Sequence, residues 1–161
     1  LSDLLGWLEG STNPLLVILD GVQDPHNLGA CLRSAAAFGA LAVVIPKNNS
    51  AKLTPAAVKV SCGGALLTPV VTVTNISRAL KDLKQQGVWT VGLAMDGDKD
   101  ITKMDLSGPV ALVLGSEASG MRRLTKDNCD FIAQIPMAGS IESLNVSASC
   151  AISLCYAAAC R

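Results

Sequence analysis

Aromatic side chains are scarce in this chain: two Trp, two Phe and one Tyr among 161 residues. With half of the residues hydrophobic, the core must be aliphatic, alanine-rich and built on Val, Leu and Ile. The length suits one compact domain. Histidine is reduced to His26, and none of the six cysteines (Cys31, Cys62, Cys129, Cys150, Cys155 and Cys160) forms a Cys-x-x-Cys pair. The usual zinc spacings cannot be completed, so no metal is expected. Cys150, Cys155 and Cys160 recur every five residues, which scatters them around a helix, and the cysteines are expected to be small buried thiols of a reducing cytoplasm. No apolar run approaches the ~18 residues needed to cross a bilayer. The start lacks the basic-then-apolar pattern of a secretion signal, so a soluble, cytoplasmic domain is expected. Formal net charge is zero, so the field of the whole chain will not draw it onto nucleic acid; a local patch or another domain would have to supply that affinity.

What is present is an alternation of short apolar runs and helical segments. Residues 1–13, LSDLLGWLEGSTN, end in polar turn formers and read as a linker or docking segment before a domain spanning 14–161. The non-Met start reads as a piece of a longer chain. LLVILD (Leu15 to Asp20) and LAVVIP (Leu41 to Pro46) are apolar strands separated by a turn-rich loop and a helix running up to Gly39. Helical character returns from about Thr54 to Leu67 and in ISRALKDLKQQ, where Ile76, Leu80 and Leu83 are helically spaced. VVTV, VWTVGLA, PVALVLG and FIAQIPM supply further strands, Gly97 to Asp100 an exposed turn, and the chain closes in a long small-residue helix. Strands apolar throughout are buried on both faces, so the fold class is α/β, a parallel sheet flanked by helices on both faces.

Three segments carry candidate chemistry. DPHNLGACLRS follows the first strand, and loops at C-terminal strand ends line the ligand crevice of such sheets. Asn27 sits where an amide can cap a helix, with Arg33 about two turns on; a cap and a solvated arginine would look the same. LGSEASG follows PVALVLG and puts the Glu117 carboxylate between glycines that permit close backbone approach to a ligand. No G-x-G-x-x-G follows the first strand, so the dinucleotide fingerprint is missing. IPMAGSIESLNVS ends a strand and opens the last helix. Ser143 could cap that helix, or Ile135, Met137 and Leu144 could wall a flat ring whose edge meets backbone groups.

In this order and spacing the segments resemble the SpoU/TrmH family of RNA ribose 2′-O-methyltransferases, of the SPOUT class, over roughly Leu15 to Arg161. Within it they look most like the bacterial branch acting on a guanosine of 23S ribosomal RNA. The resemblance implies S-adenosyl-L-methionine as cofactor, a C-terminal trefoil knot, a homodimer whose active site both subunits complete, and an N-terminal RNA-binding domain outside this sequence. It implies cofactor contacts at Gly115, Ile135, Met137 and Leu144, and a catalytic set of Asn27, Arg33, Glu117, Ser143 and Asn145. RNA contact would fall to Arg33, Arg122, Arg123 and Lys126, with Lys47 and Lys52 as weaker candidates. Guanidinium scarcely deprotonates, so Arg33 is expected to grip phosphate, leaving a phosphate oxygen, Glu117 or water to take the proton. Transfer RNA is the competing substrate. A redox α/β domain is opposed by the missing fingerprint, and a non-catalytic RNA-binding module by the complete residue set.

Overall fold

The computed structural model describes all residues, Leu1–Arg161. The core is a seven-stranded parallel sheet: β1 (Leu15–Asp20), β2 (Ala42–Pro46), β3 (Val70–Val73), β4 (Trp89–Leu93), β5 (Lys99–Asp100), β6 (Val110–Gly115) and β7 (Phe131–Gln134), in the order β3-β2-β1-β6-β4-β7-β5. Strand β7 lies between β4 and β5, which are consecutive in sequence. That interposition is compatible with the knotted C-terminal segment implied by the resemblance.

Successive residues of a strand face opposite sides of the sheet, and here both sides are covered. Leu15, Val17 and Leu19 of β1 join a cluster with Leu28, Leu32 and Ala35 of α2 (Pro25–Ala37), Ala57 of α3 (Pro55–Val60), and Cys150 and Leu154 of α7 (Val146–Ala159). Leu16 and Ile18 face Leu4 and Leu8 of α1 (Ser2–Glu9) and Ala79, Leu80 and Leu83 of α5 (Ile76–Gln85). Truncating one such leucine costs roughly 2–5 kcal/mol.

The first thirteen residues therefore contain a helix packed into the core, with Leu4 and Leu8 one helical turn apart. The expected helix from Thr54 to Leu67 is two pieces, α3 and α4 (Gly64–Leu67). Cys62 and Gly63 between them have φ of 48° and 91°, a backbone that cannot continue a helix. Both pieces press on α2 through glycines: a Cβ at Gly29 would stand 2.4 Å from the Ala57 carbonyl oxygen, and one at Gly64 would stand 2.7 Å from that of Leu32. The expected turn at Gly97 to Asp100 ends in β5, which pairs with β7. Of the cysteines expected to be buried, Cys31 and Cys150 are; Cys129 is partly so, and Cys62, Cys155 and Cys160 are exposed. Burial pushes the Cys129 thiol up to about 12. No helix is long and apolar enough to cross a membrane.

Candidate active site

Three loops meet beyond the C-terminal strand ends. Asp24 caps α2 by accepting from the His26 amide, with Pro25 at the first helical position; the cap is thus Asp24 and not Asn27. That hydrogen bond, reinforced by the His26 ring, holds the Asp24 carboxyl below the usual range. Released from capping, Asn27 donates from Nδ2 to Glu117 Oε1 at 2.6 Å. The last helix α7 is capped by Asn145, whose Oδ1 accepts from the Ser147 amide, and not by Ser143. Asn145 Nδ2 donates to the same Glu117 oxygen at 2.8 Å and approaches Asn27 Oδ1 at 3.3 Å. One carboxylate oxygen thus ties together the segments after β1, β6 and β7.

Glu117 rides on a hairpin that folds back on β6. Ser116 and Gly120 pair antiparallel, and Gly120 has φ 66°. A Cβ at Gly115 would lie 2.0 Å from Gly120 C and Met121 N, so only glycine allows this backbone-on-backbone approach. The hairpin's far end is fastened to β1. Arg122 donates from its amide to Asp20 Oδ2 at 2.8 Å and from Nε to Oδ1 at 2.9 Å.

Beside this network lies a cleft of about 1170 Å³. Gly115, Ile135, Met137, Leu144, Ser143 and Asn145 all line it, together with Glu117 and Lys126. Asn27 reaches it through Glu117. Arg33 does not line it; it is exposed on α2 and forms no ion pair with its own chain. Among the remaining expected RNA contacts, Arg122 is committed to Asp20 and Lys126 donates to both Asp96 oxygens at 2.9 and 2.7 Å. The Lys126 bond holds the exposed Asp96 carboxyl below its usual range. Arg123 projects into solvent, with Asp127 at 3.8 Å. Sequence reasoning missed Asp20 and Ile141. A carboxylate closing an otherwise apolar strand was the available signal for the first. No three His, Cys, Asp or Glu side chains come together as metal ligands.

Residues 14–155 match the model of the SpoU rRNA Methylase family. The chain is 56% identical over 154 residues to the 23S rRNA (guanosine-2′-O-)-methyltransferase RlmB of Coxiella burnetii, covering 95% of this chain and 62% of that protein. It is 57% identical over 152 residues to the protein of the same name from Photobacterium profundum, covering 94% and 62%. The SpoU methyltransferase AviRb from Streptomyces viridochromogenes, solved in complex with the cofactor AdoMet, matches with a TM-score of 0.88 at 28% identity, over 96% of this chain and 63% of that one. The chain spans less than two thirds of the length of each of these relatives. A family match over most of its residues, with the three expected segments gathered at one cleft, makes the chain a member of the SpoU rRNA methylase family.

Proposed function

We infer that residues 14–161 are the catalytic part of a cytoplasmic enzyme that methylates the ribose 2′-hydroxyl of a guanosine in 23S ribosomal RNA, with S-adenosyl-L-methionine as donor. The observation that carries this reading is the Asn27–Glu117–Asn145 network at the mouth of the cleft. Names of relatives 56% and 57% identical point to the same substrate.

The cleft suits an adenosyl ligand. Met137, Ile141 and Leu144 are large apolar side chains left exposed along it, and exposed apolar surface in a concavity marks a binding site for a flat apolar group. Gly115 and Gly120 leave bare backbone beside it. When bound, S-adenosylmethionine supplies a methyl group already activated on a sulfonium, so the chain's own task is alignment and removal of the hydroxyl proton.

Glu117 Oε1 is occupied by two amide donors, while its Oε2 takes no partner within the chain. The two asparagines fix the carboxylate, and Oε2 is left to accept from the 2′-hydroxyl. Arg33 grips RNA phosphate through its guanidinium fork; Arg123 adds a second outward cation. Arg33's position away from its own cleft fits a homodimer in which each subunit supplies Arg33 to its partner's site. Tyr156 and Cys155, exposed on the small-residue helix α7, suit the interface. An RNA-binding domain preceding residue 1 would supply the affinity that a chain of zero net charge lacks.

The test is methyl transfer to 23S ribosomal RNA and to transfer RNA, by this chain and by a protein of the relatives' full length, with the product located by mass spectrometry. A single 2′-O-methylguanosine in 23S RNA is expected. Methylation of transfer RNA alone would move the substrate within the family, and no transfer to either RNA would overturn the reading.

A further inference from the structure

We propose that Asp20 is a positioning residue: through Arg122 it holds residues 115–122 closed over the end of β6, and so sets where Glu117 and the bare backbone at Gly115 stand. This rests on the proposed function only for the identity of the ligand.

Asp20 is the last residue of β1 and lies opposite Gly115 in the sheet register. Its side chain is 0% exposed, an expensive place for a carboxylate unless it is fully partnered. Every recorded partner comes from Arg122: the amide on Oδ2 at 2.8 Å, Nε on Oδ1 at 2.9 Å and Nη2 on Oδ1 at 2.8 Å. Both carboxylate oxygens therefore pull on one residue, and that residue ends the hairpin carrying Glu117. A charge-assisted fork of this kind is stronger and more directional than a neutral hydrogen bond. The close approach it holds is visible at Gly115, where the returning backbone at Gly120 and Met121 leaves no room for a Cβ. The hairpin's other ties outside itself are the Glu117 bonds to Asn27 and Asn145 and the packing of Met121 on the core; the Ser116–Gly120 pair and the Ser116–Ser119 hydroxyl contact lie within it.

Neighbouring arginines thus divide two tasks that the sequence alone runs together. Arg122 turns inward to Asp20, whereas the Arg123 side chain is 93% exposed and free to meet phosphate.

Three variants separate a positioning role from a merely stabilising one. Asp20→Asn keeps the shape but turns an NH2 toward the Arg122 donors; Arg122→Met strands the carboxylate; Arg122→Lys keeps one charge-assisted bond. Each is titrated with S-adenosylmethionine by calorimetry, well below its unfolding midpoint, and with an RNA oligonucleotide at several salt concentrations. Amide hydrogen exchange is followed across 116–121. The cofactor Kd is expected to rise about ten-fold in Asp20→Asn and Arg122→Met and to recover partly in Arg122→Lys. RNA affinity should stay within about two-fold. Exchange should quicken in 116–121 while β1 and β6 stay protected. An unchanged cofactor Kd in folded Arg122→Met overturns the proposal, and weakened RNA binding beside it would return Arg122 to the RNA surface. A wild-type chain that takes up no S-adenosylmethionine refutes the proposed function instead, and the exchange measurement then judges the clamp alone. Should Asp20→Asn or Arg122→Met not fold, Arg122→Lys, which leaves Asp20 a charged partner, carries the same test.

Discussion

At the N-terminal strand ends Arg161 spreads its guanidinium over backbone carbonyls, donating to Leu106 at 2.7 Å and to Asn13, Pro14 and Gly108 at 2.8, 3.1 and 3.1 Å. At the C-terminal ends Arg122 meets a single buried carboxylate. Both arginines close the sheet, but the first is bound to segments that lead into β1 and β6, where nothing need move. The second fastens a hairpin beside an open cleft. With the proposed site at the C-terminal ends, where ligands of such sheets bind, ties that serve stability and ties that serve chemistry fall at opposite ends of the same strands. Variants at each end should therefore register in different measurements.

The largest effect is expected from Gly115→Ala. The added Cβ would meet backbone at 2.0 Å, and backbone cannot rotate away as a side chain can. The hairpin must lift, carrying Glu117 off its asparagines. A displacement of about 1 Å at a reacting group costs on the order of a hundred-fold in rate, so methyl transfer should fall by about that factor. Gly108→Ala, at the other end, meets nothing within 4 Å and should leave the rate unchanged. Equal losses from both would erase the distinction between the ends.

Arg161→Ala comes next and should act on stability alone. Removing charged hydrogen bonds to partly buried carbonyls costs roughly 1–3 kcal/mol, read as a lower urea midpoint with an unchanged slope. The cofactor Kd, measured on the folded variant, should not move. A shifted Kd with unchanged stability would mean that the two ends are coupled through the sheet.

How much of this was legible beforehand follows from the range of each interaction. LAVVIP and PVALVLG carry no charged or strongly polar residue, and LLVILD none before its closing Asp20; runs of this kind demand a sheet covered on both faces. The gathering of Asn27, Glu117 and Asn145 was legible only through the order of the three segments, because their contacts span 28 to 118 residues. The caps were misplaced although the signals were present: Asp24 stands immediately before Pro25, and Asn145 immediately before α7 begins. The break at Cys62 and Gly63 had its signal in the Gly63-Gly64 pair, whereas the close helix contacts at Gly29 and Gly64 have a tertiary reason invisible along the chain. Leu4, Leu5 and Leu8 of α1, with Leu1 at its N-cap, form a helical stripe that the polar end of the same segment masked. The partner of Arg122 lies 102 residues away, beyond any local pattern.

The smallest effect belongs to Asp96 and Lys126, which join the turn after β4 to α6 (Arg123–Asp127) along the rim of the cleft. Lys126 lowers the Asp96 carboxyl in the folded chain. A lowered folded value means stability that is present above the unfolded carboxyl's range and is lost as pH falls through the folded one. Both side chains are substantially exposed, so the pair is screened by salt and worth little. Lys126→Met should return the Asp96 titration, followed by carbon NMR, upward to the ordinary carboxylate range. The unfolding midpoints of the two proteins should differ slightly at neutral pH and coincide in acid or in about 1 M salt. An Asp96 carboxyl that titrates normally in the parent chain would mean that the rim is open in solution, leaving the Asp20–Arg122 pair as the ionic tie between the hairpin and the sheet.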